Sequence, residues 1–191
     1  MIPIRDAVPT RTRPGVTLMI LIAMAAAIAW PAVRREWFPW CLHAAVLWLF
    51  GRTVEDRMGH VRFAALLLAC AAVTAVALWP IGPAAAVPLA ATGATAGLAS
   101  AYLVMFPRSR VLTLVPVIVG VEMTDVPAWV VAGLWVFMQA VETWSRAAWS
   151  GPREAIAGVV AVFVGATTGG VASIALRRPE RMRVEWWDLP R

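Results

Sequence analysis

Lysine and asparagine are absent from this chain of 191 residues, and charge is scarce, with Asp, Glu, Lys and Arg together making up 15%. So little charge excludes a disordered chain, which needs high charge and few apolar residues to stay unfolded. Cysteine and histidine occur twice each. Cys41 and Cys70 lie inside apolar runs with no Cys-x-x-Cys or Cys/His spacing. They read as small buried hydrophobes, so no disulfide, metal site or cofactor is expected.

Apolar surface is abundant instead. Hydrophobic residues make up 61% and mean hydropathy is +0.73, against about 45–50% apolar in ordinary soluble proteins. A chain this small has too little interior to bury that surface in one core, so lipid is expected to solvate the excess. All 17 basic residues are arginine, and the net charge is +6. In a soluble protein this balance would point to nucleic acid. Here the arginines flank apolar runs, so membrane topology and anionic lipid account for them and no nucleic-acid partner is expected. Missing lysine and asparagine codons suit a GC-rich bacterial genome, which places the expected location in a bacterial plasma membrane.

A span needs about 20 apolar residues. Six are expected, at Gly15–Val33, Trp37–Gly51, Val61–Trp79, Thr92–Phe106, Pro127–Val141 and Ala155–Leu176. Pro80, Gly82, Pro83 and Pro88 separate the third from the fourth. Val111–Val121 contains Pro116 and is too short to cross; it is expected at the interface or leading into the fifth span. The first run also imitates a secretory signal peptide, but it continues past Ala25-Ala26-Ala27 to Val33. With the N-terminus inside, thirteen arginines fall on inner segments and only Arg34, Arg35, Arg146 and Arg153 on outer ones. That bias puts residues 1–14 and the 177–191 tail in the cytoplasm. The expected architecture is a single all-α membrane domain over 1–191.

The run Leu47-Trp48-Leu49-Phe50-Gly51-Arg52-Thr53-Val54-Glu55-Asp56-Arg57-Met58-Gly59 resembles the LWxFGxxVExxxG pattern of the rhomboid family of intramembrane serine proteases. Pro3-Ile4-Arg5-Asp6 with Pro14 and Thr17 is similar to that family's lead into its first helix. Gly93-Ala94-Thr95-Ala96-Gly97, running on to Arg110-Val111, is similar to its GxSG helix and following loop. Pro127-Ala128-Trp129 with Gly133-Leu134-Trp135 and Gln139 is similar to its fifth helix. The resemblance keeps order over nearly the whole chain and implies a six-helix bundle. It implies structural roles for Gly51, Glu55 and Gly59 at the inner loop.

The resemblance also implies a serine on the fourth helix, a histidine on the sixth just before a Gly-Gly pair, and an asparagine on the second with a histidine four residues earlier. This chain carries Thr95, Thr167, His43 and Pro39 at those positions, and Ala96 replaces the glycine after the serine. A hydroxyl nucleophile needs a base within hydrogen-bond reach. Ala155–Leu176 holds no His, Lys, Asp or Glu, and the other histidine, His60, lies in the expected inner loop. Ser100 and Ser173 have no base in sequence reach. Catalysis would therefore need a rearranged pair, Thr95 with His43, and the oxyanion donor would then be missing. The plainer reading makes His43 polar glue between helices. Gly93 and Gly97 form one small-residue ridge; Gly165, Gly169, Gly170 and Ser173 supply another. Thr95 and Thr167 are expected as neighbours between them.

The residues show only the loss of this chemistry; the resemblance to inactive members of the family implies a pseudoprotease that binds transmembrane segments of client proteins, with membrane lipid as its other partner. Trp135, Met138 and Gln139 on the fifth span are the candidate contacts. Met and aromatic side chains suit an adaptable surface, and Gln139 suits an exposed backbone group of a loosened client helix. Two rivals are an active peptidase using Thr95 and His43, and a small transporter using Glu122, Asp125 or Gln139, for which no inverted repeat is visible.

Overall fold

The computed structural model describes residues 2–6, 13–27, 29, 37–117 and 120–176. The expected Arg34–Glu36 outer loop, the end of the first span and the 177–191 tail lie outside them.

Among the described residues the chain runs β1 (Ile2–Asp6), α1 (Gly15–Ala27), α2 (Trp37–Val46), a π turn (Leu47–Gly51), α3 (Arg52–Met58), α4 (His60–Leu78), α5 (Pro83–Met105), β2 (Arg110–Val117), β3 (Gly120–Pro127), α6 (Ala128–Ser150) and α7 (Pro152–Leu176). The chain is mostly helical, as expected, but the described residues are not all-α. A three-stranded antiparallel sheet, in the order β1-β2-β3, sits at one end of the bundle. The described residues of Val111–Val121 lead into α6, as one expectation had it, but as strands. β2 and β3 pair in register from Arg110 opposite Pro127 to Val117 opposite Gly120. Val and Thr recur through this stretch, and their stiff branched side chains favour the extended chain. Ile2 pairs with Leu114 and Asp6 with Val111, so the N-terminal segment closes the sheet.

Three helices run further than their apolar runs. The second span continues without a break through the π turn and α3, so Glu55 sits on a helix and not in a loop. The rod stops at Gly59, whose φ of +84° is left-handed backbone that a side chain disfavours. α5 begins at Pro83, well before Thr92, because proline at the first helical position lacks only an N–H that has no partner there. α6 extends past Val141 to Ser150. Two helices, α4 and α7, are long and apolar enough to cross a membrane by length and composition; α1 and Leu89–Met105 are shorter apolar helices.

The most extensive helix contact joins α5 to α7. A Cβ on Gly165 would run into the backbone of Gly93, and one on Gly169 into that of Gly97. The two helices thus touch main chain to main chain, as small-residue ridges allow. Beside them, Phe50, Met58, Phe63, Leu66, Leu98 and Tyr102 form the centre of the core with no exposed surface. Met19, Ile22, Leu68, Val76, Phe163 and Val171 face outward and exposed, an arrangement that suits lipid.

Candidate functional site

Two buried polar centres lie on opposite sides of the π turn. The first gathers on Glu55, which has no exposed surface. Its carboxylate accepts the Val16 amide at 2.8 Å, the Thr17 amide at 2.8 Å and the Thr17 hydroxyl at 2.6 Å. These amides open α1, where helix N–H groups have no partner within the helix, so Glu55 caps that helix from another element. His60 Nδ1 lies 2.6 Å from Oε1. Burial pushes the Glu55 carboxyl up, but the bonds from Thr17, His60 and Val16 outweigh it and hold the group below its ordinary range. Gly51 makes room for this joint: a Cβ there would come within 3.1 Å of the Thr17 hydroxyl.

The second centre pairs α2 with α5. His43 Nδ1 lies 3.0 Å from the Thr95 hydroxyl, and both residues are buried. The same hydroxyl sits 3.0 Å from the Ala91 carbonyl and 3.1 Å from that of Thr92. A hydroxyl carries one proton, so two arrangements exist. If it donates to its own helix, it accepts from a protonated Nδ1. If Nδ1 is bare, the hydroxyl donates to the imidazole, as a nucleophile does to a general base. The Trp135 ring of α6 meets the His43 ring edge-on, with centroids 6.5 Å apart.

Thr167 is not part of this centre, and the expected Thr95–Thr167 neighbourhood is corrected. It is exposed, and its hydroxyl donates to the Phe163 and Val164 carbonyls at 2.9 and 3.0 Å. One residue earlier, Ala166 packs against the core, and Gly165, Gly169 and Ser173 share its inward side. Ser173 donates to the Gly170 carbonyl at 2.7 Å, and a Cβ on Gly170 would come within 2.9 Å of the Ser100 hydroxyl.

On α6, Trp135 and Gln139 point inward and are buried, Met138 is half-buried, and Leu134, Val136 and Phe137 face out. Glu122 and Asp125, the acidic residues considered for an ion path, lie on β3, outside the helices. Among the described residues no cluster of His, Cys, Asp and Glu is placed to hold a metal. The family resemblance implied a structural role for Glu55, tying the inner loop to helix ends, but did not name Val16 and Thr17 as its partners. Thr17 was visible as part of the lead into the first helix, but nothing local says which distant acceptor it meets.

A bundle of apolar helices with polar side chains buried between α2, α5 and α6 defines a class: a helical membrane protein with a buried polar site. The family is narrower. The rhomboid domain family model matches residues 33–179, and the chain belongs to the rhomboid family. No curated protein and no solved structure matches it significantly.

Proposed function

We propose that this rhomboid-family membrane protein binds transmembrane segments of other membrane proteins and does not cleave them. The observation that carries this reading is the inward side of α7, made of Gly165, Ala166, Gly169 and Ser173, with no ionisable residue from Ala155 to Leu176. A hydroxyl on α5 finds no base there, and a hydroxyl without a base is a poor nucleophile. The same reading has six spans, from the apolar runs, and both termini in the cytoplasm, which the arginine asymmetry supports; the absence of lysine and asparagine supports a bacterial source. Alkaline phosphatase fused after Arg191 is then inactive and a fusion after Gly82 active; the reverse pattern overturns that topology.

One observation favours a second reading, an active peptidase: the 3.0 Å contact of Thr95 with His43. A single experiment separates the two. A photo-crosslinker in place of half-buried Met138 traps intact membrane proteins in the binding reading, and trapping persists in Thr95→Ala. Cleaved fragments of a generic rhomboid substrate that vanish with both Thr95→Ala and His43→Ala establish the peptidase. Crosslinks to lipid alone defeat client binding.

A further inference from the structure

The two outer edges of the three-stranded sheet differ. β1 is five residues long, carries Pro3, which has no N–H to offer, and slips register against β2 between Pro3 and Arg5. Shortness, proline and irregular register all close an edge to further pairing. β3 is open by the same measures. Its eight residues follow β2 in unbroken register from Gly120 to Pro127, with proline only at the last position. Among the described residues no strand lies on its outer side, since the order is β1-β2-β3. Alternate residues of β3 therefore turn their N–H and C=O groups away from β2 towards an empty edge.

The segment after α7 starts from the same end of the bundle. Gly165 meets Gly93 and Gly169 meets Gly97, so α7 runs parallel to α5, and α5 leads into β2. The Arg62 guanidinium donates to the Leu176 carbonyl at 3.1 Å, which fixes where residues 177–191 depart. In sequence, Pro179 stops the helix from continuing. Met182-Arg183-Val184-Glu185-Trp186-Trp187 then alternates Met182, Val184 and Trp186 with Arg183 and Glu185, and Pro190 ends the run. Period two with Val and Trp is a strand pattern.

We infer that residues 182–187 of this chain dock on the outer edge of β3 as the fourth strand of the sheet. The inference is independent of client binding. Charge selects this occupant over a second copy. The only charges on β3 are Glu122 and Asp125, and the tail supplies Arg181 and Arg183. Two β3 strands paired antiparallel about Met123 and Thr124 would instead set Glu122 opposite Asp125 twice, and like charges directly opposite destabilise a strand pair. Length agrees: residues 177–181 reach about 17 Å when extended, against about 8–10 Å between packed helices. The sheet then ties together the segment before α1, the connection from α5 to α6 and the segment after α7.

The test is residue-resolved amide hydrogen exchange on the full chain, one copy per lipid nanodisc. It is repeated on a chain stopped after Arg178, on the double variant Val184→Pro with Glu185→Pro, and on Arg181→Glu with Arg183→Glu. Neighbouring prolines are used because successive residues of a strand point their N–H groups to opposite sides, so one of the two removes a donor aimed at β3. In the full chain the β3 amides that point away from β2 should exchange at least about tenfold slower than in the stopped chain. The double proline variant should match the stopped chain, and the charge reversal should lose part of the protection. The β3 amides that point towards β2 should stay protected throughout, which shows that the sheet itself is intact. Should the stopped chain not fold, the proline and charge variants still have to lose protection. Equally fast exchange of the outward amides with and without the tail overturns the inference and leaves Trp186 and Trp187 to the lipid interface. Protection that survives loss of the tail, or that arises only when two copies share a disc, overturns it in favour of another occupant.

Discussion

The two buried polar centres of this protein are built in opposite ways. Around Glu55 every visible group has a partner: a carboxylate, two amides, a hydroxyl and an imidazole, with contacts from 2.6 to 2.8 Å. Around His43 a 3.0 Å contact with the Thr95 hydroxyl sits near two N–H groups, on Trp135 and Gln139, that have no acceptor among the described residues. A closed network fixes geometry, since any change strands a buried partner. An open one leaves capacity for something else. The comparison teaches where to look: the saturated centre ties α3 to the start of α1, and the unsaturated centre is the place to test the function proposed above.

The largest effect should come from the saturated side. Glu55→Ala strands the Val16 and Thr17 amides and the Thr17 hydroxyl, each at about 1–3 kcal/mol if it stays buried. The measured outcome is loss of stability in detergent by at least 3 kcal/mol, roughly. A loss below 1 kcal/mol, roughly, would mean that the joint is not a fold determinant and would break the comparison.

Next in size is Gly169→Leu, which forces a side chain into the Gly97 backbone at the α5–α7 seam. About 1–3 kcal/mol of destabilisation is expected, read as a lower melting temperature. Unchanged melting means that the seam is not the common frame of the two centres.

Acid sharpens the contrast. The Glu55 carboxyl is held below its ordinary range in the folded protein. Its contribution is complete above the unfolded carboxyl value of about 4.3 and is lost as pH falls through the lower folded value. Melting temperature should fall on acidification in that window, and Glu55→Gln should remove this part of the acid dependence. An identical acid profile in Glu55→Gln counts against the assignment.

The smallest effect is reserved for the open centre. Thr95→Val removes one hydroxyl already shared with its own helix and should cost about 0.5–1.5 kcal/mol. Nitrogen NMR of His43 then reports which of the two arrangements exists. A bare Nδ1 facing Thr95 would move the balance towards the peptidase reading, and a protonated one away from it.

Much of this was legible in the sequence, for physical reasons that also mark where legibility stops. Glycine ridges announce close helix contact, and Gly93, Gly97, Gly165 and Gly169 meet across one seam. The LWxFGxxVE run shows Glu55, and the pairing of His43 with Thr95 was visible as a rearranged alternative. The sheet was not legible, because β1 and β2 pair across more than a hundred residues and a short apolar run with one proline fits several conformations. Thr167 was misplaced because two consecutive threonines before two glycines leave the helical phase open by one residue. The inward turn of Trp135 and Gln139 was missed for a similar reason. α6 is apolar on both sides, so its pattern does not say which side meets lipid.

The π turn between the two centres acts as a gear tooth. A π turn holds one residue more than the α-helix it interrupts, and one residue is worth about 100° of rotation. Leu47–Gly51 therefore sets the angular offset between His43 above it and Glu55 below it on one continuous rod. Deleting a single residue there would leave both side chains present and the helix unbroken. With Glu55 still gripping α1, His43 would be swung away from Thr95, so an insertion history of one codon is enough to engage or disengage the polar site without touching any of its residues.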